Sequence, residues 1–307
     1  MKVSQIQKLL KPWMLPIAML CGVLFHDSIG EIAFLSPYII FIMLLITYCR
    51  VSANEFKVTK FIWALLAVQV LGALCVYFAL LPFSGDIAQG AFICVFCPTA
   101  TAAPVITGML GGSIPRLATY SLFSNIAVAI LAPLLFTYMG TDADLTFAES
   151  FFAISTRVFP LILAPLALAL LFQAFMPRVH DAIASRQSLS FYIWAVALII
   201  VVGNAVSFIM KEPAEKIPEM LLLALASLVV CCAQFWIGRR VGARLGDKIS
   251  GAQGLGQKNT VLAIWMALTY LNPIASVGPA AYVAWQNTIN SMQLYFKTRS
   301  LRQEEKQ

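Results

Sequence analysis

The chain has 307 residues, of which 60% are apolar or aromatic and only 11% are Asp, Glu, Lys or Arg. An average soluble domain carries about 25% charged residues, and the mean hydropathy of this chain is +0.84. This share of charged residues is too small to cover the surface of a water-soluble globular protein. The composition therefore excludes a soluble enzyme, a disordered chain and a coiled coil. The composition predicts an integral membrane protein whose surroundings are the lipid bilayer.

The net charge is +7, and its cause in a membrane protein is the excess of Lys and Arg in cytoplasmic loops. We therefore expect no nucleic-acid partner. The seven cysteines lie mostly within apolar runs without metal-binding spacing, which is typical of small core residues. The first apolar stretch follows Lys2, Lys8 and Lys11 and has no small-residue cleavage site after it, so we predict a retained first span.

A helix that crosses a membrane needs about 20 apolar residues. Breaks at charges and turn residues predict ten spans, at 13–29, 32–49, 61–82, 87–111, 117–139, 151–175, 189–210, 217–238, 250–271 and 275–296. With the N-terminus in the cytoplasm, most basic residues fall in cytoplasmic segments and most acidic residues in external ones. The sequence thus predicts a multi-pass plasma (inner) membrane protein with both termini in the cytoplasm.

Ten spans divide into two sets of five, which we place at residues 1–140 and 141–307, with a connector near 140–150. Because five is an odd number, the second set enters the membrane inverted relative to the first. Such inverted repeats are typical of secondary transporters. We predict an all-α membrane fold of two five-helix inverted repeats in which helices four and nine are discontinuous.

The first predicted discontinuity lies in the middle of the fourth span. Pro98 and Pro104 each remove a backbone donor and disturb the preceding turn, and Thr99 and Thr101 place hydroxyls between them. A single proline in a membrane helix is more often a structural kink, and threonine often bonds back to its own helix. This simpler alternative stays open for the fourth span considered alone.

The ninth span, at the matching position of the second half, is interrupted at 251–260, where three glycines alternate with amides and a lysine. Polar, helix-breaking backbone at membrane depth occurs only where it lines a cavity or is buried in protein. Paired interruptions in corresponding helices indicate a transporter binding site. We expect Thr101, Lys258 and Asn259 to lie together where the two spans cross.

Lys258 is the one basic residue that this assignment places well inside a span, followed by the apolar run 261–265. A lysine at the centre of a membrane helix costs roughly 2.5–3.5 kcal/mol on insertion scales, so it is a functional hypothesis by default. The alternative is a lysine nearer the cytoplasmic end that is solvated and paired with Asp247.

Further polar residues within spans are candidates for the same cavity: Gln69 in span three, Ser121 and Asn125 in span five, and Gln286 and Asn290 in span ten. Each one alone is more often a helix–helix hydrogen bond than a ligand. Together they give one polar set to each half of the chain. A phosphate-binding loop, a zinc-binding His-Glu-x-x-His and a Ser/His/Asp set are all missing from the sequence, so we expect no enzyme.

Two groups of residues resemble the bile acid:sodium symporter family. The first is 97–102 with Ser121, Asn125 and Pro133, which resembles that family's fourth and fifth spans. The second is 256–260 with Pro279 and 285–287, which resembles the ninth and tenth spans, and Gln69 matches a glutamine of the third span. The likeness covers most of the chain in topology and is limited to motifs in sequence.

The resemblance implies interleaved panel and core domains, spans four and nine that cross at unwound centres, and uptake of an organic anion driven by sodium. The resemblance also implies a set of residues that bind the cation or take its place: Gln69, Ser121, Asn125, Gln253, Gln257 and Lys258. The candidate substrate-binding residues are Thr99, Thr101, Lys258, Asn259, Gln286 and Asn290.

The chain departs from the family pattern at the implied sodium ligands. Ala103 and Pro104 stand where the family has a Ser-Asn pair, and Gln253 or Gly254 stands for a glutamate. Lys258 stands for an amide. The sequence therefore loses ligand oxygens and gains a cation, and we expect the Lys258 ammonium to take a sodium position.

Taken together, the residues predict a secondary transporter of small or amphipathic organic anions that works by alternating access. No cofactor is expected apart from possible sodium ions, and no obligate protein partner is evident. A sodium-independent or proton-coupled carrier and a passive channel of the same fold remain alternatives. An intramembrane enzyme would need a nucleophile–base pair that the sequence does not offer.

Overall fold

A computed structural model describes residues 14–49, 57–100, 103–139, 146–185 and 187–304. These residues form α-helices without any β-strand among them. The helices are α1 (Met14–Leu24), α2 (His26–Ile32), α3 (Ser36–Tyr48), α4 (Lys60–Leu80), α5 (Gly85–Phe96), α6 (Ala103–Leu110), α7 (Ile114–Met139), α8 (Phe147–Phe175), α9 (Pro177–Ala184), α10 (Gln187–Ile209), α11 (Ile217–Arg244), α12 (Lys248–Gly256), α13 (Thr260–Tyr270) and α14 (Val277–Glu304).

Five helical segments of the described chain are long and apolar enough to cross a membrane: His26–Tyr48, Lys60–Leu80, Ile114–Met139, Phe147–Phe175 and Ala214–Arg244. Shorter apolar helices cover Gly85–Phe96, Ala195–Ile209 and Thr260–Tyr270. Large apolar side chains such as Phe152, Leu225 and Val229 are more than half exposed, as expected of surfaces that contact lipid. The protein is therefore an all-α membrane protein, while its division into ten spans stays a prediction.

The helix boundaries differ from the predicted spans in two places. The predicted break between the first two spans, at residues 30–31, lies inside helix α2, and the chain turns instead at Phe25 and in a 3₁₀ turn at Ala33–Leu35. The short exposed helix α9 was not predicted, because its charged and histidine residues had indicated a loop. Most of the predicted connector, at 140–145, and Thr101 lie outside the described residues.

The order of helices repeats along the chain. A long helix (α4) precedes the broken pair α5 and α6, and a further long helix (α7) follows it. The second half has the same order, with α11 before the broken pair α12 and α13, and α14 after it. The discontinuities of spans four and nine are thus present, and the inverted relation between the halves stays a prediction.

Loops gather at two ends of the helix bundle. At one end the Lys216 ammonium lies 3.2 Å from the Asp86 carboxylate and 2.7 Å from that of Glu219, which joins the start of α11 to the start of α5. At the other end the Arg116 guanidinium lies 5.3 Å from the centre of the Phe61 ring. The alternation of charged loops along the sequence predicted that these loops lie at opposite ends of the bundle. Which of the two ends faces the cytoplasm stays a prediction.

The two helices α11 and α12 pack backbone to backbone, and this contact positions the second broken helix. A side chain on Gly238 would overlap the carbonyl oxygen of Gly251, and one on Gly251 would overlap the carbonyl oxygen of Gly238. Small residues allow membrane helices to approach this closely. The glycines of α12 are therefore needed for packing as well as for the break that follows them.

The substitution Gly238→Ala tests this packing. The added methyl group meets backbone atoms that cannot rotate away, so the helices must separate, and we expect a loss of about 1–3 kcal/mol of stability. The control is Gly85→Ala, because nothing lies within 4 Å of a methyl group added there. Thermal unfolding in detergent should show a lower midpoint for Gly238→Ala alone, and equal midpoints would contradict the packing.

A hydrogen-bonded carboxylate fixes the connection between α11 and α12. Asp247 Oδ1 accepts the N–H of Ser250 at 2.9 Å, and Asp247 Oδ2 accepts the N–H of Ser113 at 3.0 Å. Partial burial by itself raises the pKa of the Asp247 carboxyl. The hydrogen bonds from Ser250 and Ser113 and the charge of Arg116 outweigh that effect and hold this pKa below its usual value.

The charge of Asp247 should therefore stabilise the protein in a pH-dependent manner. Asp247→Asn keeps an oxygen acceptor but removes the charge, and we expect it to cost about 1 kcal/mol near neutral pH. The stabilisation is present above the unfolded-state pKa of about 3.9 and is lost as pH falls through the lower folded-state pKa. The unfolding midpoints of Asp247→Asn and of the unmodified protein, measured against pH, should converge in acid. Glu215→Gln, a substitution at an exposed carboxylate, is the control for the loss of one negative charge at the surface.

Candidate functional site at the helix crossing

The two interruptions meet in space. Two backbone hydrogen bonds join them, from Asn259 N–H to Pro98 O at 2.8 Å and from Ala100 N–H to Gln257 O at 3.0 Å. Thr99 and Lys258 form an isolated antiparallel bridge between these bonds. We call residues 97–100 and 257–259 the crossing. The expected approach of the two broken helices is confirmed, although Thr101 lies outside the described residues.

The crossing is almost completely removed from solvent. Thr99 and Lys258 are each 1% exposed, Gln257 is 2% exposed and Asn259 is 4% exposed. Unwound backbone buried at this depth must find hydrogen-bond partners within the protein. Other groups of the protein must therefore form hydrogen bonds with the backbone at the ends of the four half-helices.

The C-terminal end of α5 is satisfied by side chains from other parts of the chain. Gln234 Nε2 donates to Cys94 O at 3.1 Å, Lys258 Nζ donates to Val95 O at 2.7 Å and Gln69 Nε2 donates to Phe96 O at 2.7 Å. A helix normally leaves its last four carbonyls without an intrahelical partner. Here one of those carbonyls accepts a hydrogen bond from a lysine.

The C-terminal end of α12 is satisfied in a similar manner. Thr99 Oγ1 donates to Gly254 O at 2.8 Å, across the crossing, and Tyr282 OH of α14 donates to Gly256 O at 2.9 Å. The alternative in which a threonine of the fourth span only bonds back to its own helix is therefore wrong for Thr99. Each broken helix supplies a donor to the other.

Two glutamines hold the crossing from its flanks. Gln69 Oε1 accepts from Tyr120 OH at 2.7 Å and from Ser124 Oγ at 2.8 Å, so both ends of its amide are bonded. Gln286 Oε1 accepts the N–H of Lys258 at 2.8 Å, and Gln286 Nε2 donates to Lys258 O at 3.3 Å. Both predicted residues contribute by fixing the unwound backbone.

The remaining predicted residues are less directly connected to the crossing. Asn125 Nδ2 donates to Ser121 O within α7 at 2.7 Å, and no described bond links this pair to the crossing. Gln253 Nε2 donates to Gln293 Oε1 at 2.9 Å. The side-chain oxygens of Gln253, Asn125 and Asn290 are buried and accept no hydrogen bond from the described residues.

Lys258 has a neutral polar environment. It forms no ion pair with any carboxylate of the described residues, and the ionisable groups that face it are the thiols of Cys94, Cys97 and Cys231. The alternative in which Lys258 is solvated and pairs with Asp247 is wrong, because Lys258 is buried and Asp247 binds Ser250.

The start of α13 has hydrogen-bond donors that are not in use. Asn259 Oδ1 accepts the N–H of Leu262 at 3.2 Å and so caps the helix. Asn259 Nδ2 and Thr260 Oγ1 are buried and have no partner among the residues that the structure describes. A helix N-terminus carries partial positive charge, so these donors favour an anionic group at the crossing.

A sodium ion does not fit the C-terminal end of α5. Its Val95 carbonyl already accepts from the Lys258 ammonium, and the Gln69 oxygen already accepts two hydroxyl donors. The ion pairs of the described residues and the hydrogen bonds of Asp247 involve no side chain of the crossing. A sodium ion there would have to displace the Lys258 amine from the Val95 carbonyl.

Several residues that build the site were not predicted from the sequence. They are Tyr120 and Ser124 of α7, Gln234 of α11 and Tyr282 of α14. Gln234 offered a signal, because it is an amide inside the apolar eighth span, as Gln69 is inside the third. The two tyrosines offered none, because buried tyrosines are common in membrane helices.

The fold and the crossing define an all-α membrane protein with two broken helices that meet at its centre. Comparison of the sequence with protein-family models found no match, and comparison with curated proteins found no relative. The resemblance to the bile acid:sodium symporter family therefore stays a prediction.

The substitution Tyr282→Phe tests how the crossing is held. It leaves the Gly256 carbonyl without its donor and removes one of the two acceptors of Gln234 Nε2, while the bond to Cys94 O remains. The loss should cost about 1–3 kcal/mol. Tyr295→Phe on the same helix is the control, because Tyr295 is 62% exposed. Thermal unfolding in detergent should separate the two variants, and a Tyr282→Phe midpoint equal to that of the control would refute the role of this hydroxyl.

Proposed function

We propose that the protein is a secondary transporter of small or amphipathic organic anions that works by alternating access. The observation that carries this proposal is the pair of broken helices joined at their unwound centres by backbone hydrogen bonds. Membrane transporters place substrate sites at such discontinuities, because the half-helix ends present unpaired polar groups to the substrate.

The charge of the crossing supports an anion as the substrate. The donors Asn259 Nδ2 and Thr260 Oγ1 lie at the positive end of α13, and the neighbouring residue Lys258 adds a basic amine to the same crossing. Carboxylates of the described chain lie towards the helix ends, as Asp86, Glu219 and Asp247 do. An anion would therefore meet attraction and little repulsion.

The proposed architecture is ten spans in two inverted repeats, 1–140 and 141–307, with both termini in the cytoplasm. The repeated helix order and the grouping of loops at two ends support this arrangement. In the proposed mechanism a core of the broken helices with α4, α7, α11 and α14 moves against a panel of α1–α3, α8 and α10. The anion at the crossing is thereby exposed to each side in turn.

The proposal is tested by counterflow in proteoliposomes. Purified protein is reconstituted, the vesicles are loaded with unlabelled taurocholate or pyruvate, and uptake of the same radiolabelled anion is followed. These probes represent an amphipathic and a small organic anion. A transporter should show saturable, transient accumulation of at least one probe, whereas a passive channel shows no saturation. Protein-free vesicles give the background, and uptake of both probes at that level would refute the proposal.

Asn259→Asp tests the site within the same assay. Aspartate preserves the helix cap, but it replaces the free amide donor by a charge that repels anions, so we expect counterflow to fall by about tenfold or more. Asn272→Asp is the matched control, because Asn272 Oδ1 caps a 3₁₀ turn in the same manner at 3.0 Å. The control should retain transport, and equal transport by both variants would exclude Asn259 from the site.

A further inference from the structure

A groove of about 210 Å³ lies between α4 and α11, next to the crossing. Val95 of α5 and Leu255 of α12 line its floor, and both are buried. Its walls include three residues of α4 and three of α11: Val68, Gly72, Val76, Val229, Ala233 and Ile237. None of the described residues that line it carries a charge. We call this feature the lateral groove.

The lateral groove is open on the side that faces the lipid. Val229 is 63% exposed, and Val68, Gly72 and Val76 are half-buried, whereas the floor is buried. Both α4 and α11 are long and apolar enough to cross a membrane. The medium at the mouth of the groove is therefore hydrocarbon.

The walls of the groove suit a hydrocarbon chain rather than water. Gln69 and Gln234 line it as well, but their amide nitrogens donate to carbonyls of α5. An apolar cavity of about 150 Å³ stays dry and accepts small apolar molecules such as benzene. The lateral groove is larger, and it extends over about 12 Å of α11, from Val229 to Ile237. Its length and polarity fit part of an acyl chain.

Gly72 keeps the groove open. A methyl group added at Gly72 would meet Val95 Cγ1 at 3.8 Å, which is an ordinary van der Waals distance, whereas one added at Gly238 or Gly251 would overlap backbone atoms. Glycine is unfavourable inside a helix, and no close approach of the described helices requires it at position 72. Its missing side chain instead leaves space beside Val95.

Two arginines continue the same face of α11 beyond the groove. Arg240 and Arg244 follow Ala233 and Ile237 by seven residues, or about two helical turns, and both are exposed. The Arg240 guanidinium lies 5.1 Å from the centre of the Trp236 ring, and tryptophan is enriched at the membrane interface. The salt bridges of the described residues involve neither arginine. Both charges are therefore available to an anionic group.

The spacing between groove and arginines fits a phospholipid. Arg244 lies about 16 Å from Ala233 along the helix, and one leaflet of the hydrocarbon core is about 15 Å thick. A lipid with its headgroup at the two arginines thus has its chain at the depth of the groove. This end of the bundle is also the predicted cytoplasmic end, and anionic lipids are enriched in the cytoplasmic leaflet.

We propose that the lateral groove, Arg240 and Arg244 form a binding site for one anionic phospholipid. An acyl chain lies in the groove, and the phosphate binds the two guanidinium groups. The chain packs against Val95, whose carbonyl accepts the Lys258 amine at 2.7 Å, so the bound lipid stabilises the crossing. This inference goes beyond the proposed function and does not depend on it, because lipid binding is measured without transport.

The experiment measures lipid binding to the purified, delipidated protein by native mass spectrometry. Dioleoylphosphatidylglycerol and dioleoylphosphatidylcholine have the same acyl chains, but only the first carries a net negative charge. The two arginines should make the anionic lipid bind about tenfold or more tightly, as one saturable molecule per chain. Bound lipid should also raise the midpoint of thermal unfolding. Equal affinities for the two lipids, or no saturable binding, would overturn the inference.

Gly72→Leu tests the groove. The leucine side chain occupies the space of the acyl chain, so the affinity for dioleoylphosphatidylglycerol should fall about tenfold or more. The unfolding midpoint without lipid should stay equal or rise, because a cavity is filled. Ala67→Leu is the matched control, because it adds bulk to the exposed face of the same helix, and it should bind lipid as the unmodified protein does.

Unchanged lipid binding by Gly72→Leu would overturn the inference. If this variant does not fold, Ala233→Leu fills the groove from the opposite wall and is judged by the same criterion. If neither variant folds, the comparison of the two lipids on the unmodified protein and the arginine variants decide.

Arg240→Gln and Arg244→Gln test the headgroup contact without disturbing the packing, because both side chains are exposed. Each should weaken binding of the anionic lipid about fivefold and leave that of the neutral lipid unchanged. Arg239→Gln is the matched control, because Arg239 is exposed on the opposite face of α11 and should not contact the lipid. Equal weakening by Arg239→Gln and Arg244→Gln would indicate attraction by the general surface charge and would overturn the inference.

Discussion

Backbone polar groups cannot remain unpaired in hydrocarbon, and this constraint governs the centre of the protein. Two helices stop near the middle of the bundle and expose carbonyls that water would satisfy in a soluble protein. Here the donors are Gln69, Gln234, Thr99, Tyr282 and Lys258, contributed by helices on every side. Three of the surrounding helices, α4, α11 and α14, therefore each place a donor against an exposed carbonyl.

The polar groups of the crossing are of two kinds, those that have a hydrogen-bond partner within the protein and those that have none. The C-terminal ends of α5 and α12 are closed by the protein's own side chains, including the amine of Lys258. The start of α13 retains the donors Asn259 Nδ2 and Thr260 Oγ1, which no described residue accepts. The start of α13 thus retains hydrogen-bond donors that an anion could use, and these donors support the proposed anionic substrate.

The positions of the two helix breaks could be predicted from the sequence, because they contain residue types that are unusual at membrane depth. Pro98 and the glycine-rich run at 251–260 identified both breaks, because these residue types fit poorly in continuous helices. The donor for each carbonyl could not be predicted, because the long helices are apolar on all sides and give no periodic signal for their rotation. For that reason the hydrogen bonds of Tyr282 at the crossing and of Asn125 to Ser121 of its own helix could not be predicted.

The bonds of the crossing also have a consequence for biogenesis. Lys258 and Val95 are separated by 163 positions in the chain, and Thr99 and Gly254 by 155. Ribosomes extend the chain from its N-terminus, so α5 leaves the ribosome long before its partner exists. Its terminal carbonyls must meanwhile contact water or the insertion machinery. The first half of the protein cannot settle fully into lipid until the second half has arrived, and truncated chains should be targets for membrane quality control.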